Sequence, residues 1–346
     1  ILDRTNGQPL VGIEERAVPQ EPRQATAATQ PYPVGDPVTP RCADPLPGWP
    51  IAGCIFTPFW DVATIVKPWA IGGVNWAPMS FDQQTGYLYV TASDRPGAFA
   101  AQPQEYNRDL TERTGLSYTG SRPIAPLLGA KISGTYTAID PRTNTIVWQK
   151  QMPYMLGQGS GTLSTAGGLL FHGEPDGNLL ALDARTGNEL WRWQTGYGAD
   201  GPAITYELDG QQYVAIASGG VTTLQASENG DVVWAFTVNG KLAPFQAPKP
   251  PATVIDFTGP VTVANTVKIQ DFSFDPGRGR VTAGTSVTFT NNGAQAHTAT
   301  ATDGSWDTGE IGPGQSVTIG MDTPGTYTYA CTPHPWMIAQ LTVDPA

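Results

Sequence analysis

Charge is what this chain has least of. Only 14% of its residues are Asp, Glu, Lys or Arg, and 19 basic side chains face 30 acidic ones for a net charge of -11. Binding phosphates needs clustered Lys and Arg, so the balance argues against a nucleic-acid partner. No run approaches ~18 uninterrupted apolar residues, so no helical membrane span is expected. Cysteine and histidine occur three times each. No Cys-x-x-Cys-His occurs, which removes the usual attachment site of a c-type haem. The chain opens at Ile1 and not at Met, which reads as a mature product, a cleaved piece or a fragment.

What the sequence does have in quantity is Gly (40) and Pro (32), with Thr, Val, Tyr and Trp frequent. That mixture predicts an all-β protein of short strands and many turns. Its 346 residues leave room for two domains with cores of their own. An odd cysteine count points to one pair and one cysteine with another job. Cys42 and Cys54 bracket a Pro/Gly-rich loop, RCADPLPGWPIAGC, and are the expected disulfide. Such a bond favours an oxidising compartment, periplasmic or extracellular, with two buried thiols as the alternative.

An internal repeat runs through residues 1–240. AIDPRTNTIVWQK (138–150) and ALDARTGNELWRW (181–193) align without gaps, and FDQQTGYLYV (81–90) and LDRTNG (2–7) are partial copies. In each, an alternating strand enters a polar D-x-x-T-G turn and leaves as a second strand, a hairpin by its turn chemistry. Recurrence at roughly 40–60 residues with a late Trp is the signature of propeller blades. The aspartates of these turns are read as turn-formers, not ligands.

These stretches, with GGVNWAPMSFDQQTGYLYV (72–90), GSGTLSTAGGLLFHGEPDGNLLALDARTGNELWRWQTG (159–196) and DGQQYVAIASGG (209–220), resemble the pyrroloquinoline quinone (PQQ) dehydrogenases of alcohols and sugars. The resemblance implies an eight-bladed propeller with PQQ on its axis. It implies that Asn75 and Trp76, the Asn-Trp of GGxNW, contact the cofactor's carboxylates. The chemistry agrees: the glycines permit close backbone approach, and the amide and indole donate hydrogen bonds. Residues 1–241 supply only about half of such a propeller. The family's catalytic aspartate, metal ligands and basic residue over the quinone lie upstream of the stretch resembling ILDRTNG and have no counterpart positions here. The expectation is therefore a C-terminal propeller half whose dehydrogenase activity needs an N-terminal half as partner. Half a propeller also leaves unpaired sheet edges.

From Leu242 the composition changes. LAPFQAPKPPAT carries four prolines, and residues 242–261 read as a semi-rigid linker, reaching roughly 30 Å at ~3.1 Å per residue. Alternating strands resume in TVKIQDFSFDP, RVTAGTSVTFTNN, QSVTIGM and GTYTYAC, a small Greek-key sandwich over residues 262–346.

The most specific motif closes that sandwich: Cys331-Thr-Pro-His334-Pro-Trp-Met337, with His297 on an earlier loop. Two imidazoles and a thiolate with a weak axial thioether are what a type 1 electron-transfer copper requires. Sulfur stabilises Cu(I), imidazole accepts Cu(II), and Pro333 and Pro335 restrict the loop around His334. A zinc site would use more Cys and His and have little need of Met. Residues 265–346 resemble plastocyanin-like cupredoxins, amicyanin especially, which makes His297, Cys331, His334 and Met337 the copper ligands. Relatives often carry Pro before the first His and Asn after it. Here these are Ala296 and Thr298, which leaves the bonding around the thiolate to be found. His334 with Trp336 is the expected electron exit.

Other residues are given lesser roles. His172 is read as a hydrogen-bonded structural histidine, Asp176 as part of the DGN turn, and Asp61 and Glu174 as unpaired into any acid–base set. Residues 92–127 read as an irregular insertion. Altogether the sequence predicts a secreted redox protein in which copper takes electrons from a PQQ-dependent oxidation of an alcohol or sugar and passes them to an external partner such as a cytochrome c. The alternative is a non-catalytic copper carrier whose half-propeller serves as a docking or scaffold module.

Overall fold

The computed structural model describes residues 1–47, 49–101, 120–124, 127, 129–157, 159–220, 229–248, 260–270, 273–333 and 337–346. It is all-β: a partial quinoprotein-type β-propeller, about half of eight blades, and a C-terminal Greek-key cupredoxin sandwich. The chain divides into two compact units. One comprises Ile1–Pro58, Thr64–Pro96 and Ala130–Val254; the other comprises Phe59–Ala63, Gly97–Gly129 and Ile255–Ala346.

Three antiparallel sheets carry the propeller pattern. The first runs Ser80–Asp82, Tyr87–Asp94, Ser133–Asp140, Thr145–Met152; the second runs Leu163–Ser164, Leu169–Gly173, Asn178–Asp183, Glu189–Gln194. The third has Ile204–Leu208, Gln211–Ser218 and Val232–Phe236 among the described residues. Middle strands such as Tyr87–Asp94 and Asn178–Asp183 are buried along most of their length, because sheets pack on both of their faces.

All four turns of the repeat fold alike, the two D-x-x-T-G copies and their variants DRTNG (3–7) and DPRTN (140–144). Asp183 Oδ1 accepts from the Arg185 and Thr186 amides at 2.9 Å, and the Gly187 N–H closes on Asp183 O at 2.7 Å. The same closure recurs at Asp3 to Gly7, Asp82 to Gly86 and Asp140 to Asn144. The last residue of each turn has positive φ, as at Gly187 (φ 70), which favours Gly or Asn. Bonds to the carboxyls, from the Thr5 hydroxyl to Asp3, the Arg142 guanidinium to Asp140 and the Thr186 amide to Asp183, hold all three below the ordinary range, in keeping with turn-formers. The late tryptophans fasten one sheet to the next. Trp148 Nε1 donates to Ala184 O at 3.2 Å, joined there by the Tyr89 hydroxyl at 2.8 Å, and Trp234 Nε1 donates to Thr195 O at 3.0 Å.

The third sheet is asymmetric. Val214, Ile216 and Trp234 pack into the core shared with Phe171 and Leu179 of the second sheet. Strand alternation sends Ile204, Tyr206, Leu208 and Val233 to the opposite face, where they are 57%, 41%, 56% and 75% exposed.

Two expectations change. The insertion at 92–127 is not irregular throughout: Gly97–Ala101 pairs antiparallel with Ser121–Ile124, and residues 102–119 lie outside the described residues. The linker is anchored at its start. The Phe245 N–H donates to Gln194 O at 3.0 Å, and its ring meets Trp234 edge-on at 5.1 Å. An aromatic residue inside the Pro-rich stretch thus holds it down before residues 249–259, which lie outside the description.

In the sandwich, one sheet is ordered Thr262–Val263, Arg278–Thr282, Ile338–Asp344, Gly325–Ala330, Thr300–Ala301, and the other Ser273–Asp275, Thr266–Gln270, Thr285–Asn291, Ser316–Met321. Period-two alternation sends Val267, Ile269, Val287, Phe289, Tyr329, Leu341 and Val343 into one core. That core ends at Cys331 and Met337.

Candidate metal and cofactor sites

Three of the four predicted copper donors lie in the described residues. Gly325–Ala330 delivers Cys331 as it leaves the sheet, and Ile338–Asp344 begins just after Met337. The Cys331 N–H donates to Met337 O at 3.0 Å, which closes the loop between them. His297 arrives from the other sheet and exchanges two backbone bonds with Ile311, at 3.1 and 2.7 Å. Cys331, His297 and Met337 are all buried. His334 and its neighbour Trp336 lie outside the described residues.

Cys331 Sγ stands 3.6 Å from His297 Nδ1. Two donors bonded to one ion at about 2.0–2.3 Å and spread trigonally would be separated by roughly this amount. The Thr298 N–H points at the sulfur at 3.3 Å, with the sulfur as acceptor. Thiolate, imidazole and thioether at the end of a closed apolar core fit a soft metal of the kind proposed from the sequence.

Two supporting groups were not read from the sequence. Buried Asn291 shapes the loop that brings in His297: its Nδ2 donates to Gln295 O and Ile311 O at 2.7 and 2.8 Å, and its Oδ1 accepts from the Gly293 N–H at 2.9 Å. The Asn-Asn-Gly run was the available signal. Thr298 spans the two ligand loops, its Oγ1 accepting from the Thr332 N–H at 2.8 Å. A side chain after the first histidine that can bond across was the signal there.

Asn75 and Trp76 sit on a loop fastened from behind. The Ser93 N–H donates to Gly73 O at 2.7 Å, and the Thr162 N–H donates to Pro78 O at 2.9 Å. Any side chain at Gly73 would strike Thr39, which explains the glycine. Asn75 Nδ2 donates to Ile71 O at 2.8 Å, so the amide first braces its own loop. A carboxamide has a second N–H and an acceptor oxygen, so this bond does not exhaust it. Trp76 is 57% exposed, an unusual position for an indole, and presents an aromatic surface. A planar, carboxylated cofactor suits such a loop.

Elsewhere in the propeller, His172 is structural. Its Nδ1 lies 2.8 Å from Gly161 O, which requires the proton there, and burial pulls its pKa down to about 4. Glu174 differs from its expected isolation. Burial, and secondarily the charge of Asp176, pushes its pKa up to about 8, and the Tyr154 phenol is raised to about 12 by burial and the same neighbour. Lys67 is buried against Asp94 at 2.7 Å, and the adjacent Arg95 guanidinium lies 4.0 Å over the Trp69 ring. Nothing in the sequence pointed to the Lys67 and Arg95 contacts, because each joins segments that are distant along the chain. The expected disulfide joins Cys42 and Cys54.

Comparison with known proteins places these observations. The glucose/ethanol/alcohol dehydrogenase β-propeller profile matches residues 1–214, and a second profile, outer membrane protein assembly factor BamB, matches 132–306. The chain is 35% identical over 187 residues to a quinone 1-butanol dehydrogenase of Thauera butanivorans, covering 53% of this chain and 28% of that protein. It is 31% identical over 275 residues to quinohemoprotein alcohol dehydrogenase ADH IIB of Pseudomonas putida, covering 76% of this chain and 36% of the relative. The chain thus spans about a third of the length of these relatives. The structure of a reduced amicyanin variant is similar at 25% identity over 23% of this chain and 80% of its own, with a TM-score of 0.22.

Proposed function

The chain belongs to the glucose/ethanol/alcohol dehydrogenase β-propeller family, and from that premise we propose that it is the electron outlet of a PQQ-dependent oxidation of an alcohol or sugar. Residues 1–241 would form the cofactor-side module, 242–261 the linker and 262–346 a type 1 copper module. Asn75 and Trp76 would hold PQQ, and His297, Cys331, His334 and Met337 would hold copper. When bound, PQQ takes two electrons from a substrate and copper carries one at a time. The observation that carries the copper assignment is buried Cys331, with the Thr298 N–H on its sulfur and His297 Nδ1 3.6 Å away.

The chain's own residues do the positioning. The bond from the Cys331 N–H to Met337 O keeps thiolate and thioether together, and burial keeps water from the sulfur. Gly73 lets the Asn75-Trp76 loop lie close against Thr39, and the indole stays exposed. The exposed apolar face of the third sheet supports a partner, an N-terminal propeller half whose own sheet would cover Ile204, Leu208 and Val233. An external acceptor such as a cytochrome c would draw electrons at His334 and Trp336. The Cys42–Cys54 bond supports a periplasmic or extracellular setting.

The test is reconstitution with copper, PQQ and a divalent or lanthanide ion, in the presence of the N-terminal half, followed by addition of alcohols or glucose. The proposal expects a blue band near ~600 nm that bleaches with substrate. A band that ascorbate bleaches and substrate leaves untouched would instead make the chain a carrier with a docking half-propeller.

A further inference from the structure

The hydroxyl cluster beside the Cys331 loop has a direction. Asp307 Oδ1 accepts from Thr300 Oγ1 at 2.8 Å and from the Gly309 N–H at 3.0 Å. An ionised carboxylate can only accept, so the single Thr300 hydroxyl proton is committed to it. Thr300 Oγ1 is therefore the acceptor in its contacts with Thr332 Oγ1 at 3.1 Å and Thr298 Oγ1 at 3.0 Å. Thr298 Oγ1 donates in turn to Thr332 Oγ1 at 3.1 Å and accepts from the Thr332 N–H at 2.8 Å. The result is a relay that runs outward by either of two routes: Thr332 N–H to Thr298 Oγ1, then to Thr300 Oγ1 directly or through Thr332 Oγ1, and on to Asp307.

Its two ends differ in setting. Asp307 is exposed, whereas Thr298 is buried and directs its own N–H at Cys331 Sγ. Each proton in the relay is oriented by the acceptor beyond it, so a fixed negative charge at the outer end selects one arrangement from several. We infer that Asp307 is a positioning residue for the Cys331 loop, acting through Thr300, Thr332 and Thr298 on the amide that bonds the sulfur. The relay is a property of the chain itself, and its effect on the metal rests on the copper reading above.

The experiment uses the full chain with Asp307→Ala, Thr300→Val and Thr300→Ser, read first without metal by amide hydrogen exchange. Loss of about one hydrogen bond's worth of restraint should speed exchange at the Thr332 and Thr298 amides about fivefold in Asp307→Ala and Thr300→Val. Thr300→Ser should restore the original rate, and the core amides of Val287 and Leu341 should not change. Unchanged exchange at Thr332, or equal acceleration at Val287 and Leu341, overturns the inference. The second readout adds copper: the two disrupting variants should shift the reduction potential together, and Thr300→Ser should return it. A wild-type chain that takes up no copper would sink the copper reading, while the exchange data would still decide the relay.

Discussion

Glu174 and His172 lie two residues apart on one stretch of chain and titrate in opposite senses, because burial disfavours whichever form is charged. The Glu174 pKa, raised from 4.5 to about 8, lies above its unfolded value. Its contribution to stability is full below pH 4.5 and is lost as pH rises toward about 8. The His172 pKa, lowered from 6.5 to about 4, acts the other way: its contribution is full above pH 6.5 and is lost as pH falls toward about 4. Thermal melts across pH should therefore show a stability maximum flanked by two limbs. Glu174→Gln should flatten the alkaline limb and extend the acid limb upward, because Glu174 opposes His172 between pH 4.5 and 6.5. An alkaline limb of unchanged slope in that variant would show that another group produces it.

At the scale of the element, the turns and the late tryptophans divide the work. The D-x-x-T-G turn closes a hairpin within one sheet, and the tryptophan at the end of a repeat bonds to a neighbouring sheet. Trp148→Phe keeps an aromatic ring against Tyr89 and Tyr136 but removes the donor to Ala184 O. It should cost about 1–3 kcal/mol in chemical denaturation, in line with one lost hydrogen bond to a carbonyl that keeps the Tyr89 hydroxyl, and a smaller ring. The linker obeys the same logic, because Phe245 is a side-chain anchor in a segment whose prolines cannot build a ladder. Phe245→Ala should release residues 242–248 and speed proteolytic cleavage there, with cleavage elsewhere unaltered. Equal cleavage rates in wild type and variant would mean that the bond from the Phe245 N–H to Gln194 O is anchor enough.

For the whole molecule, the decisive asymmetry is the third sheet. One face is core, and the other leaves Ile204, Tyr206, Leu208 and Val233 in water. A sheet face of this kind associates with whatever apolar surface is available. The chain purified alone should elute above its 36.7 kDa mass in gel filtration and move toward it when Ile204, Leu208 and Val233 are changed to Lys. Addition of an N-terminal propeller half should give a one-to-one complex by intact mass, and the triple Lys variant should lose it. A wild-type chain that stays monomeric and ignores that half would remove the partner from the proposal.

Much of this was legible in the amino-acid sequence, for reasons that are local. Turn chemistry is written in four or five consecutive residues, so the repeat aspartates, their terminal Gly or Asn and the strands between them could be placed without a structure. Donor type is likewise a property of the residue, so His297, Cys331, His334 and Met337 could be proposed as a soft-metal set from the sequence alone. What the sequence could not decide is everything set by packing between distant segments. The buried carboxyl of Glu174, the Lys67–Asp94 ion pair and the docking of Phe245 depend on which surfaces meet. The same holds for the relay from Asp307 to Thr298: Thr332 comes from a different loop than Thr298, Thr300 and Asp307, and only the folded sandwich brings the hydroxyls within bonding distance and gives their protons a common direction.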